Sequence, residues 1–226
     1  ASEKLTDPKG RFAAVYNFVN DTIEVYWSDA THVYMRTLNL KTNTWSGKRT
    51  VQIQIDPNNP NIVPDVDAVF NQTGDGSYVT YLTWADNYAG ALTELKDGQF
   101  VHQTRYWYWK PYSEKRAPSV VDLGETRLAV IYYRYSYSQA SYQKYDKTSR
   151  TVTTCVGQGS CEYMVPLDSQ EDCGWDAEGV VLSTKAADGK SPTGYRMDTH
   201  FYAIVENNPR LDEANWELVK CEYLGY

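Results

Sequence analysis

Phe12-Ala13-Ala14-Val15-Tyr16-Asn17 and Val66-Asp67-Ala68-Val69-Phe70-Asn71 are two copies of one motif. Weaker echoes are Ala117-Pro118-Ser119-Val120-Val121-Asp122 and Trp175-Asp176-Ala177-Glu178-Gly179-Val180. The four open at positions 12, 66, 117 and 175, in steps of 54, 51 and 58 residues. A fixed period in this range marks a solenoid, propeller or array, in which neighbouring units bury each other's faces. Four such units nearly fill a chain of 226 residues.

Strand signals surround each motif, and a helical turn is expected only at Leu211-Asp212-Glu213-Ala214-Asn215-Trp216, after Pro209. The first repeat reads as strands 12–17, 22–28, 31–40 and 44–55, with turns at Asn20-Asp21 and Lys41-Thr42-Asn43. The second reads as 66–71, 77–84, 90–96 and 99–109, with hairpins at Asp75-Gly76 and Asp97-Gly98. The third reads as 119–123, 127–136, 140–146 and 151–155, and the fourth as 179–184, 195–205 and 217–223. The expected fold is all-β: a four-bladed β-propeller of four-stranded antiparallel blades. It forms one domain over 1–226, with repeats at about 12–55, 66–110, 117–155 and 175–223. Five blades would take about 45 residues each, and the spacing is nearer 53. The competing architecture is a β-sandwich or jelly roll, where regular strand lengths alone would produce the period.

Ala13-Ala14-Val15-Tyr16 and Asp67-Ala68-Val69-Phe70 resemble the blade-opening Asp-Ala-Ala-Phe motif of hemopexin-like propellers. Val25-Tyr26-Trp27 and Tyr34-Met35-Arg36 are similar to the strands that follow it in that family. The resemblance implies four blades and a central channel, where first-strand carbonyls around Ala14 and Ala68 hold a structural cation such as calcium or sodium. It implies no other cofactor and no enzyme activity. The family's N-terminal cysteine has no counterpart, because every cysteine here lies at or beyond position 155.

The net charge of −7 and the absence of a Lys/Arg cluster argue against nucleic acid or anionic lipid as partner. The longest apolar run, around Leu128-Ala129-Val130-Ile131-Tyr132-Tyr133, is strand-sized, so no membrane insertion is expected. Cys155, Cys161, Cys173 and Cys221 have no zinc spacing and read as two disulfides of open connectivity. With the sequons at Asn20 and Asn71, and a chain that starts at Ala1, they suggest a secreted glycoprotein.

Tyr 20 and Trp 7 stand against Phe 5. Both favoured rings carry a polar handle and suit binding faces as well as half-buried strands. The sharpest cluster is Arg105-Tyr106-Trp107-Tyr108-Trp109, where alternation would put Arg105, Trp107 and Trp109 on one face. A second is Tyr133-Arg134-Tyr135, and Trp27, Arg36, Trp45 and Trp84 complete the candidate ligand-binding set, with Asp29 and Asn43 as polar partners. Sugar rings stack on Trp and Tyr, and charged groups nearby bond their hydroxyls. Packing between blades accounts for the same aromatics without a ligand. Acidic pairs such as Asp65 and Asp67 could take calcium, and solvated loops explain them equally.

No nucleophile elbow, zinc-protease helix, P-loop or dinucleotide fingerprint is present. A glycosidase needs only two of the 29 Asp and Glu, so a hydrolase acting on glycans stays as a lesser reading. The expected function is non-enzymatic binding of glycans, in the manner of a lectin. The alternatives are a carrier of a small hydrophobic ligand or pigment, and an extracellular structural protein, either of which allows a homo-oligomer.

Overall fold

The computed structural model describes residues 12–29, 32–54, 62–86, 89–108, 118–134, 139–152, 162–163, 165–166, 189–197, 200–207 and 215–222, and among them every regular element is a strand. The first sheet holds β1 (Phe12–Asn17), β2 (Thr22–Ser28), β3 (Val33–Asn39) and β4 (Thr44–Trp45), with β5 (Arg49–Val51) also paired to β3. The second runs β6 (Ile62–Gln72), β7 (Tyr78–Asp86), β8 (Ala89–Lys96), β9 (Gln99–Tyr108). The third runs β10 (Ser119–Asp122), β11 (Arg127–Arg134), β12 (Gln139–Asp146), β13 (Thr151–Val152), with β14 (Glu162–Tyr163) also on β12. The fourth contains β15 (Val165–Pro166), β16 (Gly189–Met197), β17 (His200–Asn207) and β18 (Asn215–Glu222). All pairings are antiparallel, and β1 packs on β6, β6 on β10 and β10 on β16. First strands lying side by side at the centre are the arrangement of propeller blades.

The fourth blade corrects the sequence reading. Its spatial order is β15-β18-β17-β16, so the outermost strand comes from the segment before the innermost one. The inner strand is β16 at 189–197, and the expected strand 179–184 lies outside the described residues. The expected strand 195–205 instead spans the β16–β17 hairpin, where Met197 pairs with His200. Asn215 and Trp216, expected in a helical turn, pair with Asn207 and Glu206 in β18. In the first blade the outer strand expected over 44–55 is broken into β4 and β5.

Proline explains two irregularities. β6 starts at Ile62 and carries a register shift between Val63 and Val66, and β16 carries one between Lys190 and Thr193. Pro64 and Pro192 fall in these gaps, where a missing N–H costs no ladder bond.

Hairpin turns repeat a local code. Asn17, Asn39 and Asp146 each end a strand, and their Oδ1 atoms accept backbone N–H groups of Asn20, of Lys41 and Thr42, and of Thr148 and Ser149. Four residues on, Asp21, Asn43 and Arg150 adopt positive φ of 53°, 52° and 58°. Thr22, Thr44 and Thr151 follow and reopen the strand. The side-chain oxygen bonds the turn's amides, and a left-handed residue then brings the chain back onto the ladder.

Two apolar layers join the blades. Ala13, Val15, Tyr26, Val33, Met35 and Val51 pack with Val66, Leu82, Trp84, Ala91 and Leu95 between blades one and two. Val79, Tyr81 and Leu92 pack with Val120, Leu128, Val130 and Tyr145 between blades two and three.

Candidate functional site

The register of the first blade lines its side chains into rows. Phe12 lies opposite Trp27, Trp27 opposite Tyr34, and Tyr34 opposite Thr50. Ala14, Val25 and Arg36 form the next row, and Tyr16, Ile23, Leu38 and Trp45 the third. The alternate residues Ala13, Val15, Tyr26 and Met35 point into the core against blade two. The first set therefore lies on the opposite face, where Phe12 is 62 %, Tyr16 53 % and Trp45 45 % exposed.

Two cations lie on aromatic rings of this face. Arg36 Cζ sits 5.4 Å from the Trp45 ring centroid, and its Nε donates to Ser46 O at 2.9 Å. Lys48 Nζ sits 4.3 Å from the Tyr34 centroid. Each such contact contributes roughly 0.5–1 kcal/mol at an exposed position. At the rim, Tyr34 O–H donates to Asp29 Oδ2 at 2.8 Å, and this bond to a carboxylate raises the Tyr34 pKa. His32 stacks on Tyr34 at 5.9 Å and donates its backbone N–H to Asp29 Oδ1 at 3.0 Å. The result is a platform of two rings that each carry a cation, with carboxylates at the margin, Asp29 bonded to Tyr34 and Asp21 accepting Tyr16 O–H at 3.0 Å. Flat apolar faces beside charged hydrogen-bonding groups match a ligand with C–H faces and hydroxyl edges.

Next to this platform, across the outer strand, a cavity of about 410 Å³ is lined mainly by apolar groups of Val33, Val51, Ile53 and Phe100, with His32 and Gln54 at its edge. Gln103 of blade two accepts the N–H of the lining residue Gln54 at 2.9 Å and donates to Gln54 O at 2.7 Å.

The structure separates the other candidates. Trp27 and Trp84 are each 1 % exposed, and Trp84 Nε1 donates to Thr93 Oγ1 at 2.9 Å. Both are buried, Trp84 in the layer between blades one and two and Trp27 on the platform side of the sheet, which corrects their reading as stacking surfaces. Arg105 is half-buried in β9 opposite Ala91, while Trp107 lies opposite Gly90. The register shift between those positions breaks the alternation expected for Arg105 and Trp107. Tyr133 and Arg134 sit in β11 opposite Ala140 and Gln139. The side chains of Trp107, Tyr133 and Arg134 lie outside the described part, as do Trp109, Tyr135, Cys155, Cys161 and Cys173. Cys221 pairs with Phe201 in the β17–β18 ladder. Of the sequons, Asn20 is exposed on a turn and donates to Asp97 at 3.2 Å, whereas the Asn71 amide nitrogen is buried without a hydrogen-bond partner. Lys48 and Tyr34 were missed as site residues; the register of Tyr34 with Trp27 follows from the alternation of β2 and β3, whereas Lys48 lies in the connection between β4 and β5, which no strand pattern places.

Carboxylates near the axis are engaged. Asp67 on β6 accepts Ser119 O–H at 2.6 Å and Val120 N–H at 2.9 Å from the next blade. Asp122 on β10 pairs with Lys147 at 3.0 Å. Among the described residues no group of three or more His, Cys, Asp or Glu side chains is arranged to hold a metal.

No protein-family model and no curated protein matches this chain. Solved structures do. An exo-β-1,3-galactanase from Clostridium thermocellum aligns with TM-score 0.53 at 12 % identity, covering 91 % of this chain and 44 % of the other. A GH43 β-1,3-galactosidase aligns with TM-score 0.50 at 12 % identity, covering 93 % of this chain and 42 % of the other. The chain thus spans less than half the length of either, and the likeness establishes the β-propeller class. Hemopexin-like propellers are not singled out. The expectation that the protein is not an enzyme is overturned here, since both neighbours are glycoside hydrolases. The missing motifs belonged to other reaction types, and glycoside hydrolysis needs only two suitably placed carboxylates.

Proposed function

We propose that this protein acts on carbohydrate and holds a glycan on the platform of the first blade. The observation that carries the reading is the placement of Arg36 over Trp45 and Lys48 over Tyr34 on an exposed sheet face. The glycoside hydrolases that share the fold lend it further support. Trp45 supplies the stacking surface, Arg36 and Lys48 the donors, and Asp29 the acceptor. Trp45→Ala is expected to weaken binding to the best ligand of a glycan array about tenfold or more, as truncating a central aromatic does. Its circular dichroism should stay unchanged, because Trp45 is exposed on a two-residue strand. An array on which the parent protein binds nothing overturns the reading.

A hydrolytic step is the second reading, favoured by the two galactose-specific names among the neighbours. Incubation with β-1,3-linked galacto-oligosaccharides should release reducing sugar, and no release from any glycan bound on the array would end it. Secretion belongs to the same proposal and is supported by the four cysteines and the exposed sequon at Asn20.

A further inference from the structure

We infer that Asn20 carries an N-linked glycan whose first sugar rests on Phe18, while Asn71 stays unmodified; the inference rests on the secretion proposed above. The turn between β1 and β2 reads Asn17-Phe18-Val19-Asn20-Asp21-Thr22. It places an aromatic residue two positions before the sequon asparagine, and the sequon threonine two positions after it. The fold closes this stretch tightly. Asn17 pairs with Thr22, Asn17 Oδ1 accepts Asn20 N–H at 3.1 Å, and Asp21 takes a φ of 53°. Phe18, Val19 and Asn20 stand out on the tip, where Phe18 is 52 % and Val19 54 % exposed. Such a tip ordinarily carries small polar residues, so two apolar side chains there call for a partner.

The surroundings say which partner. The Phe18 ring meets Phe70 edge-on at 5.0 Å and Tyr78 edge-on at 5.2 Å, and Phe70 lies parallel to Tyr78 at 6.2 Å. These contacts hold Phe18 against the β6–β7 end of blade two and leave half of it open. The Asn20 side chain reaches the same blade, where Nδ2 donates to Asp97 Oδ1 at 3.2 Å. Glycosylation joins this nitrogen to C1 of an N-acetylglucosamine, releases the lipid diphosphate that carried the sugar, and removes one proton from the nitrogen. The N–H that remains can still donate to Asp97. All ring substituents of the β-linked sugar are equatorial, so its flat side presents C–H bonds, which complement the negative face of an aromatic ring. A ring already fixed by two neighbours loses little freedom when the sugar settles on it. The second sequon is built the other way. Asn71 lies within β6 opposite Val79, and its amide nitrogen is buried. A sugar on that nitrogen would displace the packing around it, so the folded chain is modified at Asn20 alone.

The test secretes the full chain from a eukaryotic cell line and reads its glycopeptides and its thermal midpoint. Glycopeptide masses should place one glycan on Asn20 and none on Asn71. Trimming that glycan to its first N-acetylglucosamine with an endoglycosidase should leave the midpoint within about 1 °C, whereas Asn20→Gln should lower it by about 2–4 °C. In a Phe18→Ala background the glycan should add less than about 1 °C over the same chain with Asn20→Gln, and Phe18→Tyr should keep the full gain. A gain that survives Phe18→Ala unchanged would overturn the inference, since Phe18 would then serve the fold and not the sugar. A secreted chain with Asn20 bare, or a folded one with sugar on Asn71, would also overturn it and leave the secretion standing. Retention of the chain inside the cell would overturn both.

Discussion

Glu24 and Glu94 are carboxylates buried between blades, and each is held by groups from two strands or two blades. Glu24 accepts from Asn17 at 2.9 Å, from Tyr26 at 2.6 Å and from Thr80 of the second blade at 2.7 Å. Glu94 accepts the Tyr145 hydroxyl of the third blade, and Arg150 Nη2 lies 3.0 Å from its other oxygen without a well-aligned hydrogen bond. Lys147 is the cationic counterpart. Its fully buried side chain contacts Asp122 at 3.0 Å, Gln72 O at 3.3 Å and Gly124 O. The Asp122 side chain is 36 % exposed and stays partly solvated when its partner goes, so Lys147→Met is expected to cost about 1–3 kcal/mol, chiefly from the bonds lost to Gln72 O and Gly124 O. Denaturant melts of the variant check this, and a change below about 1 kcal/mol would mean that these groups are solvated well enough without it. None of these residues announced itself in the sequence. Thr80 lies 56 positions from Glu24 and Tyr145 lies 51 from Glu94, so only the packed blades reveal the pairing. Trp27 and Trp84 show the converse failure, because composition counts an indole without showing which side of the sheet is covered.

At the scale of elements, the hairpins were the most legible part. Asp97-Gly98 was read as a tight turn, and both residues have positive φ, 50° and 71°. The sequence did not show that this turn also docks on the neighbouring blade. A Cβ on Gly98 would lie 2.4 Å from Met35 Sδ and 2.9 Å from Arg49 Nη2. Gly98→Ala combines a left-handed penalty with overpacking, and a loss of about 2–4 kcal/mol is expected. Gly47→Ala is the matched control, because nothing lies within 4 Å of its Cβ position, and it should change stability by less than about 0.5 kcal/mol. Equal thermal shifts for the two would contradict the docking role of the turn. Strand ends were legible where an Asx residue and a following Thr mark them, as at Asn39 and Thr44. They were misread where a proline sits in a bulge. The first strand of the second repeat was read from position 66, and β6 runs back through Pro64 to Ile62.

For the whole molecule, the period of the motif carried the blade architecture, and its decay marked where the reading would fail. The fourth blade departs from the others by taking its outer strand from upstream, a connection that no local pattern encodes. The interfaces also set a response to alkali. Burial raises the pKa of Tyr26, Tyr81 and Tyr145, and the charge of Glu24, the charge of Glu94 and the bond to Glu94 respectively raise them further. In the unfolded chain these phenols release protons near pH 10, while the folded chain keeps them. Stability is therefore fully present below about pH 10 and falls as pH rises beyond it, because the folded state then binds more protons. Urea midpoints measured at about pH 8 and about pH 11 should differ in that direction, with part of the tyrosinate absorbance appearing only on unfolding. A midpoint unchanged at the higher pH would show that these hydroxyls reach solvent. The seams on either side of the second blade have a mechanical consequence. It packs on the first blade through one apolar layer and on the third through another, and Thr80, Asp67 and Glu94 reach across those seams to Glu24, Ser119 and Tyr145. Strain that opens one seam is therefore passed to the other through a single sheet. The second blade acts as a keystone, and loosening it would slacken both of its neighbours together.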